Sequence, residues 1–300
     1  MFESFGKGWS FLKQAWGMVG KDKDLLKPTL YSLAVSGVVA AIGIVPIIAA
    51  AFLLGESDYG QIVLAVLAGI LMFAQFIVSY VFSAMTIQLI YDYLTEGDGK
   101  MSKGWAIVRR DFWDIATLAA ASTVVGMLKN AANRNRKGGA GAAIARAGAN
   151  TLSFLWTEAA LLILPAMVID DLNLKKGGAR VLEITKQNLM LIGVSTVGVN
   201  AVTGLIGFVI TMIGLVLGLA IGGGLGYASG GDTLTTGIGI GLGLLVFFAF
   251  VILSTAIGTY TKTAYHTCLY IWARDVETAK EKGKSTEKVA APAPLAAVLS

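Results

Sequence analysis

Charge is scarce in this chain. Of its 300 residues only 14% are Asp, Glu, Lys or Arg, while 55% are hydrophobic and the mean hydropathy is +0.71. A water-soluble domain with so few charges could not cover its surface, which excludes an ordinary soluble protein. Histidine and cysteine occur once each, as His266 and Cys268. A lone cysteine forbids an intrachain disulfide. A metal centre draws on three or four ligands and a nucleophile needs a base, and neither set can be assembled convincingly. No glycine-rich phosphate loop precedes a Lys-Ser/Thr pair. No enzyme, cofactor or metal is therefore expected. The net charge of +5 is modest and no basic tract suits nucleic acid, so anionic lipid is the simpler partner. Prolines are few, 5 against 37 glycines, a balance that suits closely packed membrane helices better than a disordered chain.

The chain has long apolar runs instead. A hydrocarbon core of roughly 30 Å needs about 20 helical residues. The runs Thr29–Leu54, Gln61–Tyr93, Asn188–Ile221 and Thr236–Trp272 exceed that; Phe112–Leu128 and Thr151–Ile169 are shorter or less pure. About 28 amphipathic residues precede the first run, which is too long for the apolar core of a cleavable signal peptide and should persist as a transmembrane helix.

A short basic-aromatic stretch recurs before these runs. The first opens with Lys7-Gly8-Trp9 and carries Lys13 and Trp16. The second opens with Lys103-Gly104-Trp105 and carries Arg109, Arg110, Phe112 and Trp113. The third and weakest opens with Lys176-Gly177-Gly178 and carries Arg180 and Lys186. Such residues suit the headgroup zone, where cations meet phosphates and Trp rings sit between water and hydrocarbon. The expected fold is an all-α integral membrane domain over 1–274, with about six transmembrane helices arranged as three hairpins. Each hairpin follows a cytoplasmic interfacial amphipathic helix, giving units 1–95, 100–170 and 175–274. The tail 275–300 is charged, then Ala-Pro rich, and is expected to be flexible or held by a partner.

Orientation follows from Lys and Arg. The loops 55–60 and 222–235 contain no cation and carry Glu56, Asp58 and Asp232, so both belong outside. Segments 7–27, 100–110 and 175–186 and the tail are basic, which puts them and both termini in the cytoplasm. Lys129–Asn150, with Arg134, Arg136, Lys137 and Arg146, disagrees. Either it is a basic external loop between two full spans, or the third and fourth runs are partial and only four helices cross.

Few polar groups interrupt the runs. Glu158 is the one carboxylate well inside an apolar run, an expensive place for a charge and by default a functional candidate. It is either protonated, paired with Arg146 or Lys262, or reaching water from a shallow or kinked helix. Asn200 and Gln75 read more readily as interhelical hydrogen-bond partners. Pro46 and Pro165 can kink their helices. Asp170-Asp171 reads as a solvated helix end beside Lys175 and Lys176. Gly214, Gly218, Gly222 and Gly226 recur every four residues and are expected to pack the fifth run against the sixth, or against another copy of the chain.

Two patches carry a family resemblance. One is Phe154-Leu155-Trp156-Thr157-Glu158 continuing through Pro165 to Asp170-Asp171, then Gly178, Arg180 and Lys186-Gln187-Asn188; the other is Gly8-Trp9, Trp16 and Asp22-Lys23-Asp24-Leu25-Leu26. The chain resembles a family of uncharacterised prokaryotic polytopic membrane proteins, and more distantly the non-catalytic membrane domain attached to some glycerophosphodiester phosphodiesterases. It lacks that family's usual Ser in the third amphipathic helix, where Ile184 or Thr185 stands nearby. The resemblance implies a multi-pass protein of a prokaryotic inner membrane and supplies no catalytic residue. The reading that follows is a non-enzymatic scaffold or accessory subunit contacting lipid headgroups and a protein partner or second copy. The alternative is a small-solute transporter or channel using Glu158 and the glycine-rich helices.

Overall fold

A computed structural model describes residues 2–55, 57–134, 139–228, 230–285 and 289–299, and side chains for all of these except 2–4, 140, 185–197 and 299. The described secondary structure is helical throughout: α1 (Phe2–Lys21), a 3-10 turn (Lys23–Leu26), α2 (Lys27–Leu54), α3 (Asp58–Glu96), α4 (Met101–Arg134), α5 (Ala140–Asp170), α6 (Leu174–Ala228), α7 (Thr233–Glu281) and α8 (Ala293–Leu299). Among the described residues, six helices are long and apolar enough to cross a membrane, within Lys23–Leu54, Asp58–Glu96, Met101–Arg134, Gly141–Asp170, Gly198–Ala228 and Thr233–Glu281. Large apolar side chains stand exposed along them, Phe52 by 85% and Tyr227 by 91%. Water would oppose that exposure; a hydrocarbon solvent favours it.

The helix ends follow ordinary capping chemistry. The Ser57 hydroxyl accepts from the Gly60 N–H at 3.1 Å to open α3, and Gly97 closes it in the left-handed region at φ 82. Pro28 stands in the first turn of α2, where its missing N–H is harmless. Asp232 accepts from the backbone N–H and the hydroxyl of Thr235 ahead of α7, at 2.9 and 2.8 Å, and these bonds hold its carboxyl below the usual carboxylate range.

The chain divides into two compact units: residues 1–21, 189–265 and 290–300 form unit 1, and residues 22–188 and 266–289 form unit 2.

In unit 2, α3 packs along α2 on one side and α4 on the other, and α5 packs on α4 and α3. Phe82, Met85 and Val108 form a buried cluster between α3 and α4. Polar bonds join the helices where their runs are least pure. Gln75 Nε2 donates to the Ser36 carbonyl at 2.9 Å. Ser122, on α4, meets the Tyr80 hydroxyl at 2.7 Å and accepts from the Trp156 indole at 2.8 Å, joining α3, α4 and α5 at one oxygen.

In unit 1, α1 buries a stripe at Gly8, Phe11, Ala15, Met18 and Val19, the spacing of one helix face. Phe11 meets Tyr265 edge-on at 5.4 Å and Trp16 meets Tyr260 at 5.6 Å. The last helix, α8, packs on α1 within this unit. The reason is local: Leu295 and Val298 lie three positions apart on one face, and both are buried.

Candidate functional site

The basic-aromatic stretches have a common internal plan. Gly8, Gly104 and Gly177 are buried in all three copies. A Cβ on Gly8 would lie 2.5 Å from the Gly198 carbonyl oxygen, and one on Gly104 would lie 2.8 Å from Leu89 Cδ1. The glycine in Lys-Gly-Trp therefore permits close helix contact, against α6 in the first copy and α3 in the second. On Gly177 a Cβ would make only ordinary contact with Ile163 and Met167 of α5, which agrees with the weaker sequence match there.

The aromatic and basic side chains then separate into two groups. Trp9, Trp105 and Trp113 stay exposed, by 51%, 43% and 79%. Lys13, Arg109 and Lys176 are exposed, and their charged groups make no ion pair or hydrogen bond among the described residues. On α4, Trp105, Arg109, Phe112 and Trp113 share one outward stripe. Lys7 is half-buried. The remaining residues bond to other groups of the protein. Trp16 donates its indole N–H to Thr261 Oγ1 at 3.1 Å within unit 1. Lys103 reaches Glu96 at 2.6 Å and the buried Asp92 at 3.6 Å. Arg110 grips Asp111 with two bonds at 2.6 and 2.8 Å, reaches Asp171 at 3.2 Å and donates to the Val168 carbonyl. Arg180 pairs with Glu277. The side chain of Lys186 lies outside the described residues, as do Arg136 and Lys137 of the basic loop.

The intramembrane candidates are also placed. Glu158 on α5 faces His266 on α7, with Oε2 3.3 Å from Nε2. Arg146, the partner weighed from sequence, turns its Nε to the Ala142 carbonyl of its own helix. Farther along the same two helices, Tyr270 donates to Asp170, and Arg274 Nη1 lies 3.3 Å from Asp170 Oδ1 while its guanidinium stands 5.8 Å from the centre of the Tyr91 ring. His266, Tyr270 and Arg274 fall at i, i+4 and i+8, one face of α7. The sequence treats Asp170-Asp171 as one solvated pair. The structure divides it: Asp170 belongs to this polar column, and Asp171 closes α5 at φ 54 beside Arg110. Sequence reasoning missed the column because it judged His266 alone. The four-residue spacing of His266, Tyr270 and Arg274 was the available signal.

Asn200 lies on α6 in unit 1, half-buried and with a bonding partner. The four-residue glycine ladder of α6 lies against α7 in unit 1: a Cβ on Gly218 would come 2.6 Å from the Gly243 carbonyl oxygen, on Gly222 3.4 Å from that of Gly239, and on Gly226 3.3 Å from Thr236 Cγ2. Gly214 lies under Phe250. Leu215, Leu219, Ile240, Leu244 and Phe247 border this seam as a shallow apolar groove. No group of three or more His, Cys, Asp or Glu side chains placed to hold a metal occurs among the described residues.

Comparison with protein-family models found no match, and comparison with curated proteins found none.

Proposed function

We propose that the protein is a multi-pass scaffold or accessory subunit of a prokaryotic inner membrane that holds lipid headgroups along its cytoplasmic face. The observation that carries this reading is the outward stripe of Trp105, Arg109, Phe112 and Trp113 on α4, with Arg109 free of ion pairs among the described residues. An unpaired guanidinium between two exposed indoles is a phosphate site flanked by interfacial anchors. Lys13 beside Trp9 repeats the arrangement in α1, and Lys176 adds an exposed cation without an aromatic neighbour in sequence at the start of α6. The layout proposed with it is three hairpins, α2–α3, α4–α5 and α6–α7, each entered from a basic-aromatic segment, with both termini cytoplasmic. The broad apolar exposure of α2, α6 and α7 leaves room for a helical partner, or a second copy, as well as lipid.

The test uses nanodiscs containing either brominated phosphatidylglycerol or brominated phosphatidylcholine. Trp fluorescence should be quenched more by the anionic lipid, and Arg109→Ala together with Lys13→Ala and Lys176→Ala should remove the difference. Equal quenching by the two lipids in the unmodified protein would refute headgroup selection.

A further inference from the structure

We infer that the groove between α1 and α6 in unit 1 holds one acyl chain of an anionic phospholipid, with Lys13 pairing the lipid's phosphate. The inference rests on the headgroup reading and gives it a built site on α1.

The groove has a defined place in the unit. Phe5 and Trp9 of α1 and Leu205, Ile206, Val209 and Ile210 of α6 enclose about 430 Å³, a volume within the range of small-molecule sites. Gly8, beside Trp9, rests on the Gly198 carbonyl and Val202, which holds α1 against α6 at the groove's rim. Further along α1, Phe11 meets Tyr265, and Trp16 meets Tyr260 and Thr261, all on α7. Ser254 on α7 donates to the Gly207 carbonyl of α6 at 3.0 Å, a register that sets Tyr260 near the level of Val202. Because α1 touches both helices near that one level, it lies across them at the start of the apolar stretch Gly198–Ala228. From there the groove extends along α6 into that stretch.

The occupant follows from what stands at each end. Apolar walls within a membrane-spanning stretch take hydrocarbon. At the other end, Lys13 follows Trp9 by one turn on the same face of α1, about 6 Å of rise. Its ammonium makes no ion pair or hydrogen bond among the described residues, whereas Lys7 is half-buried and already engaged. An apolar helix from a partner or a second copy would cover Lys13 with nothing to neutralise it, which is costly. A phospholipid supplies both parts at once, a chain for the groove and a phosphate for the ammonium. A zwitterionic headgroup brings its own cation to the same place, so a net anionic lipid pairs better.

The experiment places the full chain in phosphatidylcholine nanodiscs with a trace of phosphatidylglycerol or phosphatidylcholine carrying an acyl-chain diazirine. After illumination, lipid adducts are mapped to residues by mass spectrometry. With phosphatidylglycerol, adducts at Trp9 and Leu205 should exceed those at Phe208 at least threefold; Phe208 is exposed at the same depth on another face of α6. Lys13→Ala should lower that excess at least threefold, and the phosphatidylcholine probe should show little of it in either protein. Val209→Trp should fill the groove and abolish the excess; if it loses its helical circular dichroism, Leu205→Trp, read at Trp9, decides instead. No excess with phosphatidylglycerol, as when a second copy covers the groove, or an excess kept in the filled groove, would overturn the site. The quenching difference between the bromolipids would then still carry headgroup selection. An excess that phosphatidylcholine matches, or that Lys13→Ala leaves unchanged, would overturn the phosphate pairing.

Discussion

Ser122 is small, and three helices depend on it. Its hydroxyl oxygen serves Tyr80 and Trp156 together, and it is buried. Ser122→Ala should strand two large side chains without a partner and lower stability by about 1 kcal/mol, the scale measured for polar bonds between membrane helices. Ser122→Thr, which keeps the oxygen, should lose less. Denaturant titration in mixed micelles checks the pair. The same scale shows what could be read from sequence and what could not. Glu158 stood out because a carboxylate interrupting an apolar run is conspicuous in a linear string. Its partner did not, because His266 is 108 positions away and nothing local in the chain announces the meeting. Trp16 is the opposite case. Its neighbours suggest the headgroup zone, yet Thr261, 245 positions away, takes its indole proton. A side chain's chemistry is written in the sequence; which way its helix faces is settled by packing.

At the scale of elements, the glycine ladder on α6 was legible because a four-residue period lines one helix face whatever surrounds it. The facing ladder on α7 is shorter, and the closest approach falls between Gly218 and Gly243. Gly218→Val would push a branched side chain into the Gly243 carbonyl, a backbone group that cannot rotate away. The expected cost is about 1–3 kcal/mol, as for other over-packed contacts, with α6 and α7 exchanging amide hydrogens faster. Gly223, which has open space where its Cβ would be, should accept Val with little change and serves as the control. The buried glycine of each Lys-Gly stretch was not legible as a packing residue, because a single glycine beside a Trp carries no period. Only the structure separates the inward glycine from its outward neighbour.

For the molecule as a whole, membrane character was plain in composition and run length, and six apolar helices stand where the sequence put its runs. The sequence expected separate interfacial helices ahead of the hairpins. Only the first basic-aromatic stretch is a helix of its own, α1; the second and third are the opening turns of α4 and α6. A charge count locates a segment at the headgroup level but does not say whether a helix pauses there. The arrangement across the bilayer rests on the same cations, and it is the claim on which headgroup binding depends. Single cysteines at Lys13, Arg109, Lys176 and Asn133 test it directly, since the native Cys268 is buried and should not react. A membrane-impermeant maleimide applied to sealed vesicles of known orientation should label the first three from the cytoplasmic side alone and Asn133→Cys from the outside alone. Labelling of any of the three cationic positions from the outside would contradict a shared cytoplasmic face, and labelling of Asn133→Cys from the inside would reduce the crossings from six to four.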